Sequence, residues 1–349
     1  MKRKLFPKLL TLCFLFAILL SSCTPKPEYS KFTAYSMDYF DTVTTIIGYE
    51  KTQEDFDAVS DEIFVLLGEY HRLYTIYHRF DGLENLCTVN ELIDGSHRTV
   101  AVDQRIIDLL LYAREMHALT GGIVNIAMGS VLSIWHDCRT AGMNDPAAAS
   151  LPPMEILQEA AGHTDIRNMV IDEENNTVTL TDPLMTLDVG AIAKGYAVER
   201  IAQELEERGI SGYVLNVGGN IRSVGVKPDG SSWTIGIENP SGGDYLAFLQ
   251  LNGQAVVTSG SYQRYYTVGG KTYHHIIHPE TLMPAEGFVS VSVVSPHSGY
   301  ADALSTTLFC LPLEEGLRLV ESLPDLEALW VSDDGTKTES SGWNQYVQN

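Results

Sequence analysis

Positive charge is scarce in this chain. Its 349 residues hold 23 lysines and arginines against 45 aspartates and glutamates, a formal net charge of −22. Four of the cations, Lys2, Arg3, Lys4 and Lys8, sit at the very start, so the remainder carries −26. Such a surface excludes nucleic acid and anionic lipid as electrostatic partners. It admits a polyanionic ligand only where a divalent cation and backbone amides hold it. Cysteine is also rare. Of five, only Cys87, Cys138 and Cys310 lie beyond the first 23 residues, an odd number at wide spacing that gives neither a disulfide framework nor a thiolate metal cluster, and all three read as small core residues. Long hydrophobic runs are missing too: the apolar stretch Leu9–Leu20 falls short of the roughly 20 residues that span a bilayer. No Pro/Gly/Ser-rich linker interrupts residues 35–345, and no internal repeat is visible, so one large domain is expected.

The first 22 residues have a basic start, the short apolar run and then "LSSC". This reads as a lipoprotein-type signal peptide, with Cys23 as the lipid-modified N-terminus, residues 23–33 as a tether and 34–345 as the domain. The expected location is the extracytoplasmic face of the cell membrane, anchored by lipid without spanning it.

The pattern along the domain is mixed. "SMDYFDTVTTIIGY" reads as a strand. "DFDAVSDEIFVLLGEYHRLYTIY" and "DQRIIDLLLYAREMHAL" have helical spacing, the latter with Asp103 as N-cap. "PMEILQEAAG" is a shorter helix, and "NMVIDEENNTVTLTD" a hairpin turning at Asn175–Asn176. "AIAKGYAVERIAQELEERGI" is an amphipathic helix closed by Gly209, and a series of strands and two helices near 299–310 and 313–322 follow. Helices and strands do not alternate regularly, which argues for an α+β domain of mixed sheets packed with helices rather than a doubly wound parallel sheet.

Four stretches carry chemistry. "TLDVGAIAKGYAVERI" is expected to put Asp188 at a strand end, then Gly190, then a helix start with Lys194, an arrangement that receives phosphate without being a Walker loop. "LNVGGNIRSVG" offers Gly218–Gly219, either a close approach to a ligand or a bulge. "VVTSGSYQRYY" ends a strand in Thr258, Ser259 and Gly260, a ligand contact or simply a polar turn. "HSGYADALSTTLF" sets Asp302 and Thr306 on one helix face, either suited to a hard cation or a first-turn acid and a packing residue. Three histidines, His274, His275 and His278, fall in "TYHHIIHPETLMP". The first two point to opposite faces of a strand and cannot both ligate one zinc unless the chain bends. One catalytic histidine or purely structural roles remain open on this ground.

Taken in order, these segments resemble the FAD:protein FMN transferase (ApbE) family over Tyr35–Val331. Its motifs match "DVGAIAKGYA" at 188–197, "NVGGNI" at 216–221, "TSGSYQRYY" at 258–266 and "ADALST" at 301–306. "TGGIVNIAMGSVLSIW" (120–135) is similar to the flavin-nucleotide segment, with Val124 and Asn125, and "TIYHRFDGLENLCTVNE" to the region with a ligand-stacking tyrosine, Tyr77, and an asparagine, Asn90. The resemblance implies a single ApbE-like, T-fold-like domain. It also implies Mg2+-dependent transfer of FMN from FAD, the substrate, to a threonine of an extracytoplasmic acceptor protein such as a redox-pump subunit, releasing AMP. The alternatives are an FAD pyrophosphatase and a flavin-binding lipoprotein without catalysis.

By the same resemblance Ala191 (through its carbonyl), Asp302 and Thr306 would hold Mg2+. Asp188, Lys194, Gly218, Gly219, Ser259 and Ile276 would join Tyr77, Val124 and Asn125 around the nucleotide. His275 would handle the acceptor's proton, with Asp302 as rival. Two departures from the family pattern stand out: His278 where aspartate is usual, and Leu282 where glycine is usual.

Overall fold

β-Branched and aromatic runs separated by glycine turns build one large antiparallel sheet in the computed structural model, which describes residues 28–348 apart from 94 and 98. The signal segment and Cys23 lie outside the described residues. The strands are β1 (Ser30–Tyr39), β2 (Thr42–Glu50), β3 (Tyr213–Val217), β4 (Asn220–Val224), β5 (Ala255–Gly260), β6 (Phe288–Ser295), β7 (Glu327–Ser332) and β8 (Lys337–Glu339). They lie side by side in chain order, each antiparallel to the next.

The helices are α1 (Gln53–Tyr74), α2 (Leu86–Val89), α3 (Gln104–Leu119), α4 (Gly129–Asn144), α5 (Met154–Ala161), α6 (Ala193–Glu207), α7 (Ser298–Cys310) and α8 (Leu313–Ser322). All but α7 and α8 belong to the long excursion between β2 and β3. The α+β expectation holds. No helix among the described residues is long and apolar enough to cross a membrane.

Three expectations shift. The run "SMDYFDTVTTIIGY" is not one strand but parts of two, folded back at Phe40–Asp41, whose φ of 53° and 51° suit a turn that follows the sheet's own twist. Ser30–Thr33, expected in the tether, pair with β2, because their alternating side chains place Phe32 against Phe56 of α1. Of the three cysteines only Cys310 is buried, and Cys87 and Cys138 are partly exposed.

The sheet buries both faces, by period-2 alternation. On β5, Val257 joins the α7 side while Val256 packs with Trp343 on the other, and on β7 Trp330 and Leu329 divide in the same way. The face carrying the site is crossed by α6 and α7, which touch at Gly195. A Cβ there would fall 2.4 Å from Asp302 Cβ and 2.6 Å from the Ser298 carbonyl, so only glycine allows the approach. A buried charge cluster fixes the same crossing. Glu199 of α6 receives Arg222 Nε of β4 at 3.2 Å and the Ser298 N–H, at the start of α7, at 2.6 Å. The helices bearing Lys194 and Asp302 are thereby tied to one strand.

Candidate active site

A cavity of about 420 Å3 opens where the β1–β2 turn, the β3–β4 turn and the end of β5 converge, walled by α4, α6 and α7. Asp302 lies at its base, 4 % exposed, with Oδ2 accepting the Gly195 N–H at 2.8 Å and Oδ1 3.8 Å from Lys194 Nζ. In an unbroken helical ladder the Gly195 N–H would reach the Ala191 carbonyl. Its diversion to Asp302 leaves that carbonyl, on the cavity wall, clear of this donor. Burial raises the Asp302 carboxyl above its usual range, opposed by Lys194, the Gly195 amide and the Asn220 side chain. Thr306, one turn on, stands 3.5 Å from the Ser259 hydroxyl, which also meets Ser305 at 2.8 Å. Asp302, Thr306, Ala191 and Ser259 therefore come together around the cavity.

The start of α6 differs from expectation. Its early amides are already engaged: Ile192 and Ala193 donate to Val189, Gly195 to Asp302 and Tyr196 to Ile192. With most of these amides engaged, a phosphate would meet mainly side-chain cations here. Nor does Asp188 end a strand. It follows a one-residue bridge, Thr186 to Met128, in a segment clamped by Asn90, which donates to the Leu187 carbonyl at 2.9 Å and accepts its N–H at 2.7 Å. Asp188 Oδ1 takes the Gly190 N–H at 2.8 Å, which shapes the glycine turn. Its carboxyl is also raised by burial, against the pull of that amide, His136, Arg139 and Arg264.

The histidines separate cleanly. His274 closes the ladder Lys271–His274. It is bonded through Nε2 to the Ala285 carbonyl and through Nδ1 to the Ile276 N–H, and stacks edgewise on Phe309, so its ring is satisfied structurally. His275 follows on the cavity wall, its N–H held by the Arg264 carbonyl at 3.1 Å and its buried Nδ1 without a partner among the described residues. Burial, then Arg264 and Arg139, push this imidazole down to about 3, so it is neutral at any working pH. His278 does not line the cavity. Its Nδ1 accepts the Glu280 N–H at 3.2 Å, the turn-closing bond that the usual aspartate would make.

Tyr77 is half-exposed at the rim against His136, with ring centroids 5.4 Å apart. Val124, Asn125 and Ile276 line the wall, and Asn125 is braced by the Thr164 carbonyl at 2.9 Å. Gly218 and Gly219 form the β3–β4 turn, with φ of 58° and 84°. A Cβ on Gly218 would strike Thr42 at 2.3 Å, while Gly219 faces open space and is not part of the cavity wall. Among the described residues no group of three or more His, Cys, Asp or Glu could hold a metal, so the zinc alternative finds no site.

Sequence reading missed Arg139, Arg264 and Asn220. Arg139 is a single cation on α4, and Arg264 follows the "TSG" strand end. Their spacing from Lys194 says nothing, yet the three cations line one cavity in a chain poor in cations.

The second departure from the family pattern is strained. Leu282 has φ 59°, its carbonyl accepts Trp135 Nε1 at 2.9 Å, and its side chain is only 6 % exposed, packed with Trp135. Left-handed backbone costs a leucine about 1–2 kcal/mol, less than the roughly 2–5 kcal/mol of losing a buried leucine. Leu282→Gly is thus expected to lower the urea-unfolding free energy, although glycine suits the backbone. Leu282→Ala, which keeps the strain, should be the worse of the two by about 1 kcal/mol. Equal losses would show the strain to be negligible.

Comparison with known proteins agrees with this geometry. The ApbE family profile matches residues 38–330. The chain is 32 % identical over 301 residues to a protein of Treponema pallidum (strain Nichols) named FAD:protein FMN transferase, covering 82 % of this chain and 80 % of that one. It is 29 % identical over 283 residues to one of the same name from Klebsiella pneumoniae (strain 342), covering 79 % and 83 %. In structure it is similar to the ApbE protein of Thermotoga maritima MSB8, with a TM-score of 0.78 and 26 % identity over 92 % of this chain and all of that one. A flavin transferase ApbE from Vibrio cholerae gives 0.74 and 25 % over 91 % and 99 %. With the profile covering most of its length and the same fold in solved relatives, the chain belongs to the ApbE family.

Proposed function

We propose that this protein is a flavin transferase that cleaves FAD at its diphosphate and passes FMN to a threonine hydroxyl of an acceptor protein, releasing AMP. The observation that carries the reading is the convergence of Asp302, Thr306, Ala191, whose carbonyl is left clear of the Gly195 amide, and three cations on one cavity. The relatives named FAD:protein FMN transferase support the same chemistry.

The donor set fits Mg2+: one buried carboxylate, one hydroxyl and one main-chain carbonyl, all hard oxygen ligands. Held by Asp302, Thr306 and the Ala191 carbonyl, the ion would offset negative charge on the diphosphate. Lys194, Arg139 and Arg264 meet the rest of that charge and orient the phosphorus, which is most of what phosphoryl transfer asks of a protein. Val124, Asn125 and Ile276 exclude water along the nucleotide, and Tyr77 offers a ring at the rim. Threonine Oγ attacks the FMN phosphorus, the bond from that phosphorus to the bridging oxygen breaks, and AMP carries that oxygen away. His275, neutral and with a free Nδ1, receives the hydroxyl proton. Burial, then Arg264 and Arg139, keep its basicity low, and a diphosphate anion beside those cations raises it.

The deciding assay incubates the protein with FAD, Mg2+ and an extracytoplasmic acceptor domain bearing a flavinylation threonine. Covalent in-gel flavin fluorescence with AMP release is expected. Free FMN and AMP without labelling would mean a pyrophosphatase, and no AMP at all a flavin-binding protein. In this assay His275→Asn should lower kcat by about a hundredfold or more with FAD affinity nearly intact. Because His275 is neutral down to about pH 3 in the free protein, its acid limb should lie at higher pH in kcat than in kcat/KM. Near-normal turnover in His275→Asn would transfer the proton-accepting role elsewhere.

We also infer, from the basic start, short apolar run and "LSSC" box, that Cys23 is lipid-modified and holds the protein on the extracytoplasmic face of the membrane. Release of a Cys23→Ala form from the membrane fraction is the expected result.

A further inference from the structure

A second, smaller cleft of about 110 Å3 lies between the β1–β2 turn and the loop after α1. Phe40, His71, Tyr74, Ile76, Val189 and Ala193 border it and take no part in the main cavity. Asp41, Tyr77, Asp188, Gly190, Lys194 and Arg264 border both, so the two hollows meet along Lys194, Arg264 and Asp188. The mouth is braced. Phe40 donates its N–H to His71 Nδ1 at 3.1 Å, the two rings meet edge to face at 5.6 Å, and both turn residues hold left-handed backbone. Strain of that kind persists only where surrounding structure enforces it, commonly beside functional sites.

An in-line displacement at phosphorus needs nucleophile and leaving group on opposite sides. With FAD in the larger cavity, a second substrate must reach the phosphorus by another path. The small cleft is mostly apolar and aromatic, a poor place for a second nucleotide and a good one for a side chain of a polypeptide. The path continues outward along β1, the outermost strand of the sheet among the described residues, which runs into this turn. Its Tyr35 and Met37 are 70 % and 77 % exposed. An edge strand binds an extended peptide through main-chain bonds, with tolerance for its sequence.

We propose that the acceptor polypeptide docks as an extended segment beside the β1 edge, seats an apolar side chain between Phe40 and Ile76, and presents its threonine to the FMN phosphorus across Lys194. The proposal rests on the transferase reading. As above, the threonine oxygen–phosphorus bond forms, the phosphorus–oxygen bond to AMP breaks, and the hydroxyl proton leaves to a protein base.

The test uses the whole protein with FAD, Mg2+ and an acceptor domain labelled by the wild type. Ile76→Trp, which fills the cleft, should raise the acceptor KM about tenfold, a loss near 1.4 kcal/mol, with the FAD Kd from flavin-fluorescence quenching unchanged. The surface double variant Tyr35→Glu/Met37→Glu, remote from the core, should raise the same KM and leave FAD binding alone. Unchanged acceptor KM in both overturns the proposal. So does an Ile76→Trp protein that loses FAD affinity while the surface variant keeps a normal acceptor KM, because the cleft then belongs to the flavin. A wild-type protein that splits FAD without labelling any acceptor removes the transferase reading itself, and this site with it.

Discussion

Asp302→Asn is expected to unfold at a higher temperature than the wild type in the absence of metal, while losing at least about a hundredfold in Mg2+-dependent turnover. Both effects come from one buried carboxylate. Asp302 is almost fully enclosed, and burial outweighs Lys194 and the Gly195 amide in setting its affinity for protons. A carboxyl whose folded value lies above its unfolded one contributes stability at low pH, where it is protonated in both states. That contribution is lost as pH rises through the folded value. Near neutrality the ionised carboxylate is therefore a burden on the metal-free fold. Asparagine keeps an acceptor for the Gly195 N–H without the charge, so the gain should vanish near pH 4, the range of an ordinary carboxyl, and grow as pH rises above it. Gains at strained functional sites typically run about 0.5–2 kcal/mol. Added Mg2+ should raise the melting temperature of the wild type and not of the variant. A variant that melts lower at pH 7, or still responds to Mg2+, would place the metal elsewhere.

Glu199→Ala should be the most damaging single change to the fold, costing about 3–5 kcal/mol in urea unfolding. Arg222 is 4 % exposed, and Glu199 at 6 % is its buried partner at 3.2 Å. Removing the carboxylate leaves a guanidinium in the interior, faced by the Ser223 carbonyl and the partly exposed Glu206 at 3.2 Å. It further strips the Ser298 N–H of its acceptor at the start of α7. Glu206→Ala, taken from the half-exposed end of the same cluster, should cost less than about 1 kcal/mol. Because α7 carries Asp302 and Thr306, Glu199→Ala should also weaken the Mg2+-induced rise in melting temperature at temperatures where the protein stays folded. Equal costs for the two glutamates would mean that the buried pair does not hold the helix crossing.

How legible this was in the sequence depended on distance along the chain. Helices with apolar spacing and local caps were readable. Asp103 caps α3 by accepting the Arg105 N–H, and Asn176 turns its hairpin at φ 50°. The strand series after residue 212 was equally plain, since alternation and glycine turns are local signals. The β1–β2 hairpin was hidden because Phe40 and Asp41, without a glycine, adopt a turn that sequence rules assign to glycine and asparagine. Asp302 and Thr306 were visible as one helical face. The reach of Arg139, Arg264 and Asn220 into the same cavity was not, because α4, the β5–β6 connection and β4 are far apart in the sequence and meet only on folding.

By itself, then, the sequence determined the strands and helices, the acidic surface, and the motif residues around which a diphosphate could be handled, because periodicity and motif spacing act within a few turns of chain. Only the tertiary structure decided the rest. It diverted the Gly195 amide to Asp302 and so cleared the Ala191 carbonyl, and it buried His275 beside cations, which together keep it neutral. It reduced His278 to a turn acceptor and brought a second cleft to the same cations. The His278 turn bond is local, and only its exclusion from the cavity is tertiary. For the carbonyl, His275 and the cleft the physical reason is common: burial and charge are set by neighbours as far as about a hundred or more residues apart, such as Gly195 and Asp302, and no local pattern records them.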